Sequence, residues 1–248
     1  MSTPAGWYSD PTGGPGAMRW WDGEAWTAHV AVTALPPPPE TAAATLSRES
    51  GVARAARIAA LATAVAMPIQ LIVSAVLLSQ MADVFRKIFS KAHHDVTPSF
   101  RVNPFLSLAS NVTSLVTFAA LIVTLVWVHA AATTAARIRI PARRSPGWAV
   151  GGFLIPVVNL WWPYQSVCDL FPAGHPARRV VARWWALYLC ATFTPVIALA
   201  VAFASVPAAL ALGTVAAALY VGAALTLRQV IAMSLTTHAE LIEGIGTR

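Results

Sequence analysis

Four stretches of this chain carry no Asp, Glu, Lys or Arg: 58–82, 102–136, 145–168 and 184–227. The hydrocarbon core of a bilayer is about 30 Å thick, so a helix rising 1.5 Å per residue crosses it in about 20 apolar residues. The first stretch predicts a span over 58–78, with Pro68 as a tolerated bend. The second predicts a span over 106–132. The last is long enough for two helices, 184–204 and 208–227, turning at Ser205-Val206-Pro207, with Pro195 bending the first of them. Between spans one and two, 83–101 reads as a mixed polar loop. After Arg228 the chain reads as a short amphipathic tail over 228–244.

The stretch 145–168 differs in kind. Pro146, Pro156 and Pro163 with Gly147, Gly151 and Gly152 oppose one straight helix. Trp148, Trp161, Trp162 and Tyr164 suit the headgroup level as anchors. Residues 146–165 therefore read as a broken interfacial or re-entrant segment.

Residues 1–30 have another pattern. Trp7-Tyr8, Trp20-Trp21 and Trp26-Thr27 are separated by turn-forming Gly13, Gly14, Pro15 and Gly16 and by Asp22-Gly23. Asp-Gly between aromatic runs predicts a hairpin with positive φ at both turn positions. Two or three short strands result, with Trp7, Trp20 or Trp21, and Trp26 as a miniature core. A Pro/Ala-rich linker over 31–54 follows, in which Pro36–Pro39 predicts polyproline II. No cleavable signal precedes the first span, which is expected to serve as its own signal-anchor.

Composition agrees. The chain is 57% hydrophobic and 11% charged, with mean hydropathy +0.62, whereas soluble domains carry about 25% charged residues. The net charge of +7 admits nucleic acid or an anionic membrane surface as partner. Position decides for lipid headgroups, because the arginines flank the apolar stretches, and no nucleic-acid partner is expected. Four spans with a cytoplasmic N-terminus place Arg48, Arg54, Arg57, Arg137, Arg139, Arg143, Arg144, Arg178, Arg179, Arg183 and Arg228 inside. Only Arg86, Lys87, Lys91 and Arg101 fall outside. If 148–168 also crossed, Arg178, Arg179, Arg183 and Arg228 would move outside. Both termini are thus expected in the cytoplasm of a plasma-membrane protein.

Two segments resemble known families. Residues 4–29, PAGWYSDP…RWWDGEAWTAH, resemble a short actinobacterial domain of unknown function with the pattern GWYxDP…WDGxxWT. Residues 146–165, PGWAVGGFLIPVVNLWWPYQ, with RWWALYL at 183–189, resemble an uncharacterised bacterial membrane family that would cover about 55–240. Relatives of that kind follow the tryptophan of the second span with Arg and Asn. After Trp127, Ala130 and Thr134 hold those places here. Neither resemblance implies a reaction.

No ionisable Asp, Glu, Lys or Arg interrupts the four spans, which weighs against ion-coupled transport and intramembrane acid–base catalysis. Gln70, His129 and Asn159 are the candidate intramembrane polar positions. Gln70 needs a partner in lipid, His129 reads as a structural histidine at a span end, and Asn159 is expected to satisfy backbone groups freed by Pro156 and Pro163. Ser110, Ser114, Thr117 and Thr124 line one face of span two, and Gly213, Ala217, Ala218 and Gly222 supply small residues in span four, as helix-packing positions do. Cys190 is expected to pack as a small apolar residue, and Cys168 has no CxxC or Cys/His neighbour. His93-His94-Asp95 lacks a fourth ligand, so no metal and no cofactor is expected. Trp7, Trp20, Trp21 and Trp26 are candidate interaction residues, for a protein or a proline-rich peptide.

The chain is therefore expected to be an all-α integral membrane protein with about four transmembrane helices, a broken interfacial or re-entrant segment and a small Trp-rich β module at its N-terminus. The expected role is a non-catalytic scaffold or envelope-associated interaction protein. The alternative is a small facilitator or channel-like transporter, formed as a homo-oligomer around 146–165.

Overall fold

The computed structural model describes residues 3–13, 17–32, 39–89, 103–202 and 205–246. Strands β1 (Gly6–Ser9), β2 (Ala17–Trp21) and β3 (Trp26–Val32) form an antiparallel sheet in that order. Trp7 stands opposite Trp20, and Trp21 opposite Trp26. Successive residues on a strand face opposite sides, so Trp20 and Trp21 cannot join one core. The indoles form two clusters instead. Trp7 meets Trp20 edge-on at 5.5 Å between ring centroids, and Trp26 meets Trp21 at 5.2 Å and Tyr8 at 6.3 Å. Both clusters stay partly open: Trp7 is 45% and Trp26 39% exposed.

The predicted hairpin forms by a different turn. Of the two expected turn positions, Asp22 and Gly23, only Gly23 has positive φ (108°). The Asp22 carboxylate accepts the backbone N–H groups of Glu24 and Ala25 at 2.8 and 2.7 Å. That Asx-type cap closes a longer loop without forcing Asp22 itself into the left-handed region. Across the sheet, Asp10 pairs with Arg19 at 3.1 Å and caps Thr12 N–H at 2.9 Å.

Helix α1 runs Pro39–Phe89, 51 residues, and corrects the expected linker. Pro39 sits at its start, where a missing N–H costs nothing. The Glu-, Ala- and Arg-rich stretch behind it has high helix propensity. Residues 39–57 thus extend the first span as a rod roughly 28 Å long. The polyproline expectation for Pro36–Pro38, like the His93-His94-Asp95 cluster, lies outside the described residues. Helix α2 spans Pro104–Arg137, capped by Asn103, whose side chain accepts Phe105 N–H. Its other end closes with Arg139 in the left-handed region (φ 61°), where Arg139 and Ile140 donate back to Ala136 and Ala135 carbonyls. This Schellman arrangement turns the buried Ile140 under the helix.

Residues 146–168 are broken, as expected: α3 (Pro146–Gly151), a 3-10 turn (Val158–Leu160) and α4 (Trp162–Cys168). Helix α5 covers Ala177–Ala202 and α6 covers Val206–Gly246. The expected separate tail is a correction, because 228–246 continues α6 without a break. Four helices are long and apolar enough to cross a membrane: Ala42–Met81, Pro104–Arg137, Ala177–Ala202 and Val206–Ile245. Their outer faces expose Phe105, Leu115, Val65, Val196 and Leu199 at 63–72%. Monomers in water rarely expose such continuous apolar surface.

The helices are ordered α2–α1–α6–α5. Each neighbouring pair packs closely, whereas α2 and α5 do not pack against each other. The buried core lies near the arginine-rich ends and includes Ala53, Ala56, Trp127, Ala135, Val167, Phe171, Val181, Trp185, Val230 and Ile231. The opposite ends of the helices have few such contacts, which leaves a cleft on one side.

Candidate functional site: a cleft between the helices and a buried Glu–His pair

Two adjoining cavities make up the cleft. The larger, about 570 Å³, lies between α1, α2, α5 and α6 and reaches from Trp184, Trp185 and Phe153 up to Gln70 and Thr113. The smaller, about 370 Å³, continues from Gln70 to Leu78, Ala202 and Ala209. Met67, Gln70 and Tyr220 belong to both. Gln70 is thus the waist of one groove that runs most of the length of the spans.

The polar wall of this groove is largely self-satisfied. Thr63, Thr113, Thr117 and Thr124 each donate to the carbonyl four residues back at 2.8–3.0 Å. Thr113 also approaches Gln70 Oε1 at 2.6 Å, the contact that joins α1 to α2 at mid-span. A shared hydroxyl proton therefore serves three acceptors, while the Gln70 amide N–H groups remain available to the cleft. The other wall is aromatic. Trp185 stacks on Tyr188, and Tyr188 meets Tyr220 edge-on at 6.5 Å. Small residues set the helix spacing, since a Cβ on Gly213 would stand 2.7 Å from Leu71 Cδ1.

The broken segment closes the arginine-side end. Trp185 Nε1 donates to Leu160 O at 3.0 Å. This corrects the role expected of Asn159: a neighbouring indole satisfies the freed carbonyl, and the half-buried Asn159 side chain makes no hydrogen bond among the described residues. The four expected anchors divide. Trp148 and Trp161 are exposed, while Trp162 and Tyr164 turn partly inward. Arg144 lies over the Trp162 ring at 4.0 Å and donates to Gln165 at 2.7 Å. Arg143 binds Asp169 through both its backbone N–H and its guanidinium. A Cβ on Gly152 would come within 2.8 Å of Trp162 Cβ, so this turn requires glycine. Burial pushes the Cys168 thiol above its usual range, against a partial counter-effect from Tyr164. Cys190, expected as a small apolar residue within a span, lies on the outward face of α5.

His129 is exposed, with Nδ1 3.4 Å from the Pro146 carbonyl. The histidine with a structural network is His238, which the sequence reading missed. His238 and Glu49 are both 0% exposed. Nδ1 lies 2.9 Å from Glu49 Oε2, Nε2 lies 3.0 Å from Leu170 O, and Ser234 Oγ approaches Glu49 Oε1 at 3.5 Å. A carbonyl only accepts, so Nε2 must carry a proton. One further proton is needed between Nδ1 and the carboxylate. The network ties α1, α6 and the turn after α4 together at the arginine-side end. Both residues lie beyond the apolar stretches, 189 positions apart, so only the Ser234/His238 spacing of four hinted at a shared face. Among the described residues, no group of three or more His, Cys, Asp or Glu side chains is placed to hold a metal.

Residues 101–239 match the family model of a domain of unknown function, DUF4328, over more than half of the 248 residues. The chain belongs to this family. Residues 5–44 match a second model, a protein of unknown function, DUF2510. No curated protein and no solved structure matches the chain significantly. The DUF4328 match takes in α2 to α6 and stops short of α1, a smaller extent than the expected 55–240. The DUF2510 match ends inside α1. Gln70 therefore lies outside both matches while its partner Thr113 lies within the DUF4328 region. Glu49 and His238 divide in the same way. After the second-span Trp127, Thr134 is fully buried and donates to Ala130 O, and Trp127 Nε1 is buried without a hydrogen-bond partner among the described residues.

Proposed function

We propose that this DUF4328 protein is a non-catalytic plasma-membrane scaffold or envelope-associated interaction protein, with both termini cytoplasmic and its Trp-rich module as the recruiting surface. The carrying observation is that Trp7 and Trp26 stay 45% and 39% exposed on opposite faces of the sheet. Large amphipathic rings of this kind are favoured anchors for partners. A protein, a proline-rich peptide or the chain's own Pro36–Pro39 segment fits such aromatic grooves. The arginine distribution supports the orientation.

Two experiments test this reading. Reporter fusions at residue 140 should report the cytoplasmic side, and an external signal overturns the orientation. Crosslinking of the full chain in membranes should capture a defined partner that is lost in Trp7→Ala/Trp26→Ala. An identical set of crosslinks from both chains would sink the recruiting role.

A second reading, a small oligomeric facilitator built around 146–165, is favoured by Asn159, which is half-buried with an unused amide. It requires solute flux in proteoliposomes that disappears on Asn159→Ala or Trp162→Ala.

A further inference from the structure

Most of the groove's polar wall has nothing left to offer a ligand, and the exceptions fall near its waist. Thr63, Thr113, Thr117 and Thr124 donate their hydroxyl protons to carbonyls of their own helices. Ser114, beside Thr113 in the larger cavity, makes no hydrogen bond among the described residues, and neither does Ser74 in the smaller one. Both serines are exposed. The Gln70 carboxamide offers its oxygen to Thr113 and keeps its N–H donors for the cleft. Gln70 stands about 18 Å along α1 from Ile58, where the apolar run begins. It therefore lies near the middle of a hydrocarbon core about 30 Å thick. Lipid supplies no partner at that depth, so unused donors there are costly unless a ligand meets them. No Asp, Glu, Lys, Arg or His among the described residues lines either cavity, which leaves no counter-charge for an ionic ligand.

We propose that the groove binds a prenylated quinone, its ring in the larger cavity with the carbonyls accepting from Gln70 and Ser114, and its tail along the smaller cavity. Three features select this occupant. A quinone ring carries carbonyls that accept and nothing that donates, which complements an amide and a hydroxyl with unused donors. The ring is flat and apolar, and the larger cavity is walled by Trp184, Trp185, Tyr188, Tyr220, Phe118 and Phe153. Aromatic faces and edges of this kind hold another ring by offset stacking or edge contact. The smaller cavity is aliphatic, with Leu71, Leu78, Leu199 and Leu210 in its wall, and suits a methyl-branched tail. A phospholipid keeps its ester carbonyls near the membrane surface, so only its methylenes would reach Gln70 and the donors would stay unmet.

Size agrees. Small-molecule sites enclose roughly 300–1,000 Å³, and the cavities of about 570 and 370 Å³ fall in that range. A helix about 10 Å across and 30 Å long fills roughly 2,400 Å³ and does not fit. The groove opens sideways between α2 and α5, so a molecule dissolved in the bilayer enters without crossing water. The inference needs the four helices to cross the membrane but does not depend on their orientation or on any partner of the tryptophan module.

The test uses the full chain in mild detergent, with native mass spectrometry and thermal unfolding. Phylloquinone is the probe. Phytane, a matching branched hydrocarbon without the ring, and phosphatidylcholine form separate arms. Phylloquinone should be retained and should raise the unfolding temperature, with the other two giving little of either. Ser114→Ala removes a hydroxyl that bonds nothing in the free chain. It should leave the unfolding temperature without ligand unchanged and weaken retention about threefold to tenfold, the net worth of one hydrogen bond. Gln70→Leu should weaken retention at least as much. Thr113→Val breaks the same contact between α1 and α2 but leaves the amide in place, so it should keep the quinone. Thr117→Phe fills the larger cavity and should abolish retention. Equal retention of phytane by the unaltered chain overturns the proposal in favour of a plain hydrocarbon groove, without recourse to any variant. Equal retention of phosphatidylcholine overturns it in favour of a bilayer lipid. Equal losses in Gln70→Leu and Thr113→Val overturn it by making the amide structural. Disulfide crosslinking between copies of Thr117→Cys that excludes phylloquinone overturns it in favour of a second copy of the chain.

Discussion

Removing the Glu49 carboxylate should be among the most damaging single changes outside the spans. Glu49→Ala leaves His238 Nδ1 facing a void at a site where both side chains are fully buried. It also takes an acceptor from Ser234 and loosens the link that holds the turn at Leu170. Breaking a buried charged pair by deleting one partner costs about 3–5 kcal/mol. In a chain of this length that corresponds to an unfolding temperature lower by roughly 6–20 °C. Glu49→Gln should be far milder, because its amide can donate to Nδ1 while His238 keeps its proton on Nε2 for Leu170 O. Glu49→Ala/His238→Ala should cost less than the two single changes added together, with coupling of about 1–3 kcal/mol. The assay is thermal unfolding in detergent followed by tryptophan fluorescence. Trp127, Trp184 and Trp185, buried in the same core, report loss of packing there. A Glu49→Ala chain within about 0.5 kcal/mol of the parent, or a Glu49→Gln chain as unstable as Glu49→Ala, would refute the reasoning.

Three further outcomes follow from separate contacts. Gln70→Leu and Thr113→Val should each destabilise the spans by about 0.6 kcal/mol, and at most about 1.7. Their double variant should show the coupling of one shared hydrogen bond in the same unfolding assay. Gly152→Ala should cost about 1–3 kcal/mol, because the added methyl meets Trp162 Cβ and not the end of a flexible side chain; it should show as reduced monodisperse yield. In the tryptophan module, hydrogen bonds from Thr12, with help from Arg19, hold the Asp10 carboxyl below its ordinary 3.8. A depressed carboxyl stabilises the fold above the unfolded value and loses that contribution as pH falls through the folded one. The module's fluorescence should therefore change as pH falls below the ordinary carboxyl value, and Asp10→Asn should reduce that acid transition to the part left by Asp22, whose carboxyl the Ala25 and Glu24 N–H groups also hold below 3.8.

The membrane fold was legible in the sequence because lipid imposes a one-dimensional rule. A helix that must satisfy its own backbone and present apolar side chains outward leaves an uninterrupted run in the sequence, and the four helices follow those runs. The break at 146–165 was readable for a related reason, since proline and glycine act locally on the backbone. The tryptophan hairpin was readable as strands, yet its cores were not. Period-two alternation already separates Trp20 from Trp21, but only the strand register shows Trp7 joining the first and Trp26 the second.

What the tertiary structure alone decided are pairings between distant positions. No local pattern says that Glu49 meets His238, that Thr113 meets Gln70, or that an indole from α5 serves the Leu160 carbonyl in place of Asn159. The starts and ends of α1 and α6 beyond the apolar runs were not fixed by the sequence, because mixed-charge sequence of high helix propensity keeps to a helix only where a neighbour covers one face of it. The packing order of the helices, and with it the open side between α2 and α5, depends on which faces bury together. Hydrophobicity selects the solvent for each segment, while the choice of neighbour rests on shape and on hydrogen-bond partners that the chain brings together only when folded.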